Sequence, residues 1–185
     1  MLGPEFPEVL AAEQAGDEAA FARIWRETQP MLLRYLRVLA AGLSEDIAST
    51  AWLEVIGSLG DFEGTENGFR SWLITIARNK FRDDRRRAVR RPEMAVETFE
   101  GIEPGVADAA DESAEAALRL IAQLPSEVAE MVALRVIAGL DVAEVAEITG
   151  RSPGVVRVAV HRGLRRLAAA LSESDVTAAL LRTFR

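Results

Sequence analysis

Arginine and lysine crowd one short stretch of this chain. In "ARNKFRDDRRRAVRR", Ala77 to Arg91, eight of fifteen residues are basic and two are acidic. Fixed positive charge repeated along a helix suits one partner above others, a run of phosphates on a nucleic acid backbone. Arg78, Lys80, Arg82, Arg85 and Arg86 are the candidates for those contacts. Asp83 and Asp84 are neighbours on a helix and point about 100° apart, so they do not converge on a metal. They are expected to pair with Arg86 and Arg87, three and four residues on.

A second basic block stands in "GRSPGVVRVAVHRGLRRLAAAL", Gly150 to Leu171, where residues 151–171 hold five bases and no acid. Gly150 supplies the positive φ of a tight turn. Ser152 is a plausible N-cap, and Pro153 falls in the first helical turn. The helix that follows is expected to bury Val156, Val160, Leu164 and Leu167, and to present Arg157, Val158, His161, Arg162 and Arg165. A shorter helix precedes it, Val142 to Thr149, with Val145, Ala146 and Ile148 turned inward. The pair reads as a helix-turn-helix whose second helix is basic. Its arginines, with Arg151, would hold phosphates, and its exposed N-terminal half would read base edges. A helical hairpin with merely solvated arginines is the plainer alternative. It would ordinarily mix charge signs for solubility, and this stretch does not.

Catalysis finds little here. There is no cysteine, and the one histidine, His161, has no carboxylate to orient it. No serine–histidine–acid set and no phosphate-cradling glycine loop is present. The expectation is a binding protein, not an enzyme, without metal or cofactor.

The positive blocks are islands, since the chain as a whole carries −7. Residues 1–68 hold 4 bases and 12 acids, 69–91 hold 9 and 2, 92–130 hold 1 and 10, and 151–171 hold 5 and none. Local patches, not total charge, govern nucleic acid binding. No apolar run approaches the roughly 18–20 residues that span a bilayer, and the start lacks a signal-peptide pattern, so a cytoplasmic protein is expected. The "GPEF" near the start looks like a cloning remnant, and Met1 to Phe6 carries no weight in the reading.

The elements that must carry these blocks are helical almost throughout. Phe21, Ile24, Trp25, Leu32, Leu33, Leu36 and Leu39 recur at helical spacing. Ser44 is placed to cap a helix reaching about Leu59, with Ile47, Ala51, Val55 and Leu59 on one face. "GDFEGTENG" interrupts as a loop, and a helix from Phe69 buries Trp72, Leu73, Ile76 and Ala77 before entering the basic run. Pro92 stops it. About twenty acidic, Pro- and Gly-containing residues follow, too long for an ordinary connection, which suggests two domains. Helices resume near Ser113, with a further start at Pro125-Ser126. The fold class is all-α: residues 8–91, an acidic linker 92–112, a second unit 113–172 and a short tail 173–185.

In their order, "AAFARIWRETQPMLLRYL", "SEDIASTAWLEVIGSL", "SWLITIARNKFRDDRRR" and the helix-turn-helix resemble the extracytoplasmic-function sigma factors of bacterial RNA polymerase, from about Phe21 to Leu171. The first half is similar to sigma region 2, and the second to sigma region 4. The resemblance implies a subunit that binds core RNA polymerase and directs it to promoter DNA, region 2 melting and reading the −10 element and region 4 reading the −35 duplex. It implies that the loop "GDFEGTENG" captures a flipped base, with Phe62 and Asn67 as candidates and Asn79 beside that pocket. Phe69 is the third aromatic or amide candidate there, though as the start of a helix it reads better as core. Asp46, with Glu45, Ser49 and Trp52, would dock on the polymerase clamp; Ser49 and Thr50 stand where the family usually has Gln and Glu. Val158 and Ala159 replace a common Ser-Arg pair, so −35 reading would lean on thymine methyl contact and DNA shape. The acidic linker suits a basic channel of the polymerase, or shields the basic blocks in the free protein. An anti-sigma factor, in many members membrane-tethered, is the expected regulator. A two-domain helix-turn-helix regulator acting without polymerase is the alternative; it accounts for the second half and not for "WLITIARNKFRDDRRR".

Overall fold

The structure is a computed structural model that describes the backbone of residues 2–90 and 109–183, and side chains of 2–87 and 114–171. Among the described residues there are eight α-helices: α1 (Phe6–Gln14), α2 (Glu18–Ala40), α3 (Ser44–Ser58), α4 (Glu66–Arg90), α5 (Ala109–Ala122), α6 (Ser126–Val136), α7 (Val142–Thr149) and α8 (Pro153–Thr183). No strand occurs among the described residues.

Helix α2 is the axis of the molecule. Asp17 starts it, its carboxylate accepting from the amides of Ala19 and Ala20. Ile24, Leu32, Tyr35 and Leu36 are wholly buried along it, and α1, α3 and α4 pack around it. On α3 the inward stripe is the expected one, Ile47, Ala51 and Val55, with Leu59 just beyond. Ser44 does not cap α3. It is the first helical residue, and its buried hydroxyl donates to the Ala41 carbonyl instead.

Two boundaries differ from the sequence reading. Helix α4 begins at Glu66, three residues before Phe69, so Asn67 lies in a helical turn and the loop shortens to 60–65. Its side-chain requirement explains this: the Thr65 hydroxyl accepts from the Gly68 amide, as an N-cap does. At the chain start, Leu2 and Phe6 are buried, with the Phe6 ring 5.8 Å from that of Phe69. Leu2 and Phe6 are therefore part of the core.

The expected linker falls mostly outside the described residues; α5 takes in its last four positions. The two halves are not held apart. Helices α5 and α6 pack on α2, and α7 meets α4. One continuous apolar cluster runs from Phe6 through Leu36 and Leu73 to Met131, Leu134, Val145 and Val156. A smaller cluster of Ile121, Leu124, Ala129 and Val132 receives Val38 of α2 and Leu167 of α8.

Candidate nucleic-acid interface

The loop ahead of α4 is built on an aromatic floor. Phe62 stacks on Trp72, with centroids 5.1 Å apart and planes at 21°, and meets Phe69 edge-on at 5.6 Å. Gly64 sits close against it: a Cβ there would stand 3.0 Å from the tip of the Phe62 ring, which would have to shift. Phe62 is thus half-buried, with one face stacked on Trp72. The loop tip, Glu63, Gly64 and Thr65, is exposed.

Asn67 faces the second half of the chain. Its amide donates to Glu144 of α7 at 2.5 Å, while its oxygen accepts from Arg70 at 2.6 Å. Arg78, the first base of the basic run, is also claimed. Its Nε and Nη2 donate to the Glu130 carboxylate of α6 at 2.5 and 3.2 Å, and Nη1 to the Ile148 carbonyl at 2.7 Å. The Tyr35 hydroxyl donates to the same carboxylate at 3.4 Å. Burial pulls the Arg78 guanidinium down, but hydrogen bonds and charge from Glu130 outweigh it and its affinity for the proton ends above the ordinary value. Burial, then the Glu130 charge, pushes the Tyr35 phenol well above its ordinary range.

Beyond Arg78, the described basic residues Arg82, Arg85, Arg86 and Arg87 are exposed and Lys80 is partly so. Lys80 pairs with Glu54 of α3, Arg85 lies over the Phe81 ring, and Arg86 and Arg87 pair with Asp83 and Asp84 three residues back. Arg82 and Asn79 are exposed. The twelve helical steps from Asn67 to Asn79 span about 18 Å of helix axis, so the structure does not bring these two amides together. It does bring together the two basic blocks. Arg78, Arg82 and Arg151 line one small polar cleft with Glu127, Glu130 and Thr149, and Arg151 pairs with Glu127.

The helix-turn-helix is formed as its sequence requires. Asp141 and Glu144 make a reciprocal capping box at the start of α7, and Gly150 ends it in the left-handed region at φ 68°. The Ser152 hydroxyl accepts from the Val155 amide at 3.4 Å. Arg157, Val158, His161, Arg162 and Arg165 all lie on the exposed face of α8, with Val158 half-exposed. Leu164 is a correction: it is exposed, and Gly163 takes its inward place. A Cβ on Gly163 would stand 2.7 Å from Val132 and 3.0 Å from Val128, so α6 and α8 touch where no side chain intervenes.

A third surface lies on α3. Glu45, Asp46, Ser49 and Thr50 are exposed. Trp52 is not available for docking. It is 5% exposed, its indole N–H donates to Gln29 at 2.6 Å, and it packs edge-on to Phe21. The residues passed over are Leu53 and Ile56, 72% and 53% exposed. With Ser49 they follow at four- and three-residue steps, a stripe opposite Ile47, Ala51 and Val55 that was there to be found.

Known proteins carry the same order of parts. Residues 24–91 match the Sigma-70 region 2 family and residues 114–167 the Sigma-70, region 4 family. The chain is 34% identical over 180 residues to the ECF RNA polymerase sigma factor SigD of Mycobacterium tuberculosis, covering 90% of this chain and 84% of that one. The chain belongs to the extracytoplasmic-function sigma factors. A second sigma factor, ShbA of Streptomyces griseus, is 32% identical over 83% of this chain and 88% of its own. BldN of Streptomyces coelicolor is 30% identical, and the match spans 66% of its length. Among solved structures, the sigma factor RpoE in complex with the anti-sigma factor NepR from Bartonella quintana shares the fold, with a TM-score of 0.65 at 22% identity over 82% of this chain and 96% of that one. CnrH in complex with the cytosolic domain of CnrY follows, with a TM-score of 0.59 at 21% identity over 89% and 96%. In this sigma factor, α2 to α4 contain the region 2 match and α5 to α8 the region 4 match.

Proposed function

We propose that this sigma factor directs core RNA polymerase to its promoters, region 2 opening and reading the −10 element and region 4 reading the −35 element as duplex. One observation carries the reading: a single chain holds two basic faces of different kinds. On α8 the exposed row Arg157, Val158, His161, Arg162 and Arg165 is a groove-reading helix face, with an apolar position among cations. On α4 an exposed basic row lies farther along the same helix that an exposed loop tip on an aromatic floor leads into, two parts that single-strand capture uses. The α3 surface of Glu45, Asp46, Ser49, Leu53 and Ile56 is the docking face for core polymerase. Its two acids stand at one end and its apolar residues at the other, a polar edge beside an apolar centre as at other protein interfaces.

In the free chain Asn67 and Arg78 are held by Glu144 and Glu130 of region 4. Glutamates of region 4 thus stand where promoter phosphates would lie, and the chain must open to load on DNA. The solved relatives that are bound to anti-sigma factors make such a protein the natural regulator. Run-off transcription tests the function: core polymerase with this chain should initiate at discrete promoters, and core alone should not. Equal transcription with and without it would end the reading.

A further inference from the structure

Helix α1 precedes every segment that either reading assigns to DNA or polymerase, yet its contacts converge on the loop before α4. Three contacts brace that loop. At its entry, the Gln14 carboxamide donates to the carbonyls of Leu59 and Phe62 at 3.1 and 2.9 Å. At its exit, the Glu66 carboxylate accepts from the backbone amides of Leu2 and Gly3 at 3.0 and 2.8 Å. Beneath it, Phe6 packs on Phe69, which packs on Phe62. The tip, Glu63 to Thr65, is touched by none of these and faces solvent.

The Leu59 carbonyl also accepts from the Phe62 amide at 3.1 Å, closing the short turn at 59–61. Gln14 therefore fixes both ends of that turn with one NH₂ group. An amide with two N–H donors can do this, and a carboxylate cannot. Leu59 is wholly buried, so the turn is anchored below, and the carbonyl of Phe62 is the last backbone group held before the free tip.

We propose that α1 is a brace for the −10 loop and that Gln14 is a positioning residue setting its tip for base selection. The inference rests on the proposed role of that loop. Gln14 touches no DNA in this scheme; it acts through Leu59 and Phe62. Placement of a capture loop matters most at strand opening, when the selected base leaves the stack. The first docking of duplex promoter depends on phosphates elsewhere.

The test uses holoenzyme reconstituted with core polymerase, on promoters carrying each base at each −10 position and on matched −35 variants. Initial binding and the opening rate are measured separately. Gln14→Ala should lower discrimination at one or two −10 positions by about fivefold, the worth of two hydrogen bonds at a water-exposed site, through the opening rate alone. Gln14→Glu should lower it at least as far, because it removes both donors. Discrimination at −35 and core affinity should match the unsubstituted chain, and the melting temperature should fall by no more than about 2–4 °C, the shift the same loss gives in a chain of this size. Glu8→Ala, an exposed change on the same helix, should alter nothing. Two results would overturn the proposal: −10 discrimination within twofold of the parent in both Gln14 variants, or an equal fall at −10 and −35. If the unsubstituted chain supports no promoter-specific initiation, the function reading fails first, whatever the variants do.

Discussion

Glu130→Ala is the substitution that most directly asks whether region 4 covers the −10 surface. The Glu130 carboxylate receives two bonds from Arg78 and one from Tyr35, and the ion-paired side chains are only 13% and 16% exposed. Removing one member of a buried ion pair costs about 3–5 kcal/mol, since the other charge is left without a partner. Here the guanidinium keeps its bond to the Ile148 carbonyl and its edge reaches solvent, so about 2–3 kcal/mol is the better figure. That loss falls on the closed arrangement alone. It shifts the balance toward an open chain by roughly 30- to 150-fold at 1.4 kcal/mol per decade.

Binding of a labelled single-stranded −10 oligonucleotide by anisotropy, without polymerase, reads the shift. A chain whose competent state is a small fraction binds with its affinity reduced by that fraction, so opening should tighten binding by up to the same factor. Arg78→Ala breaks the same ion pair yet should give no gain, because it also removes a cation that the strand needs. This asymmetry separates release from a general loosening. Glu130→Ala binding the strand no tighter than the parent, with its helices intact by circular dichroism, would refute the reasoning.

Tyr35 is the chain's only tyrosine and lies between the halves, so tyrosinate absorbance reports on that contact alone. Its raised pKa favours the protonated phenol in the closed form. The stability this adds is complete below the ordinary pKa of about 10 and is lost as pH rises through the higher, closed-state value. The absorbance midpoint should lie above that of free tyrosine, and Glu130→Gln should bring it down. Gly163→Ala forces a methyl between α6 and α8 and should cost about 1–3 kcal/mol, lowering the melting temperature and weakening −35 duplex binding together. Leu53→Ser and Ile56→Ser should leave the melting temperature unchanged while weakening core polymerase binding about tenfold each, measured by competition against the parent.

Local rules carried much of the fold. Helical stripes placed Ile47, Ala51 and Val55 inward, and the glycine requirement placed the turn at Gly150, φ 68°. Where they misled, a long-range contact had overruled them. A hydrophobic stripe favours Leu164 over Gly163, because glycine carries no apolar signal; only the approach of Val128 and Val132 shows that the missing side chain is the point. Trp52 has the size of a docking anchor, but Gln29 and Phe21 on α2 claim it. Phe6 looked dispensable until Phe69, sixty-three residues on, supplied its partner.

Charge illustrates the same limit. Segment sums reveal two basic blocks in an acidic chain, and they invite the acidic linker as the natural shield. Residues 92–108 of that linker lie outside the described residues; among the described residues, Arg78 and Asn67 are met by Glu130 and Glu144, which belong to the second half's own helices. Both were ordinary in the sequence: one lies on the largely apolar α6, the other completes a capping box with Asp141. Glu144 serves both duties at once, one oxygen accepting from the Asp141 amide and the other from Asn67. The carboxylate that starts the first helix of the −35 reader thereby also binds a residue proposed for −10 capture. Opening the chain frees Asn67 without undoing that cap, so region 4 can leave region 2 and keep its DNA-reading shape. The cost of release then falls on interface bonds and shared apolar surface, and those are what core polymerase, or a regulator, must outbid.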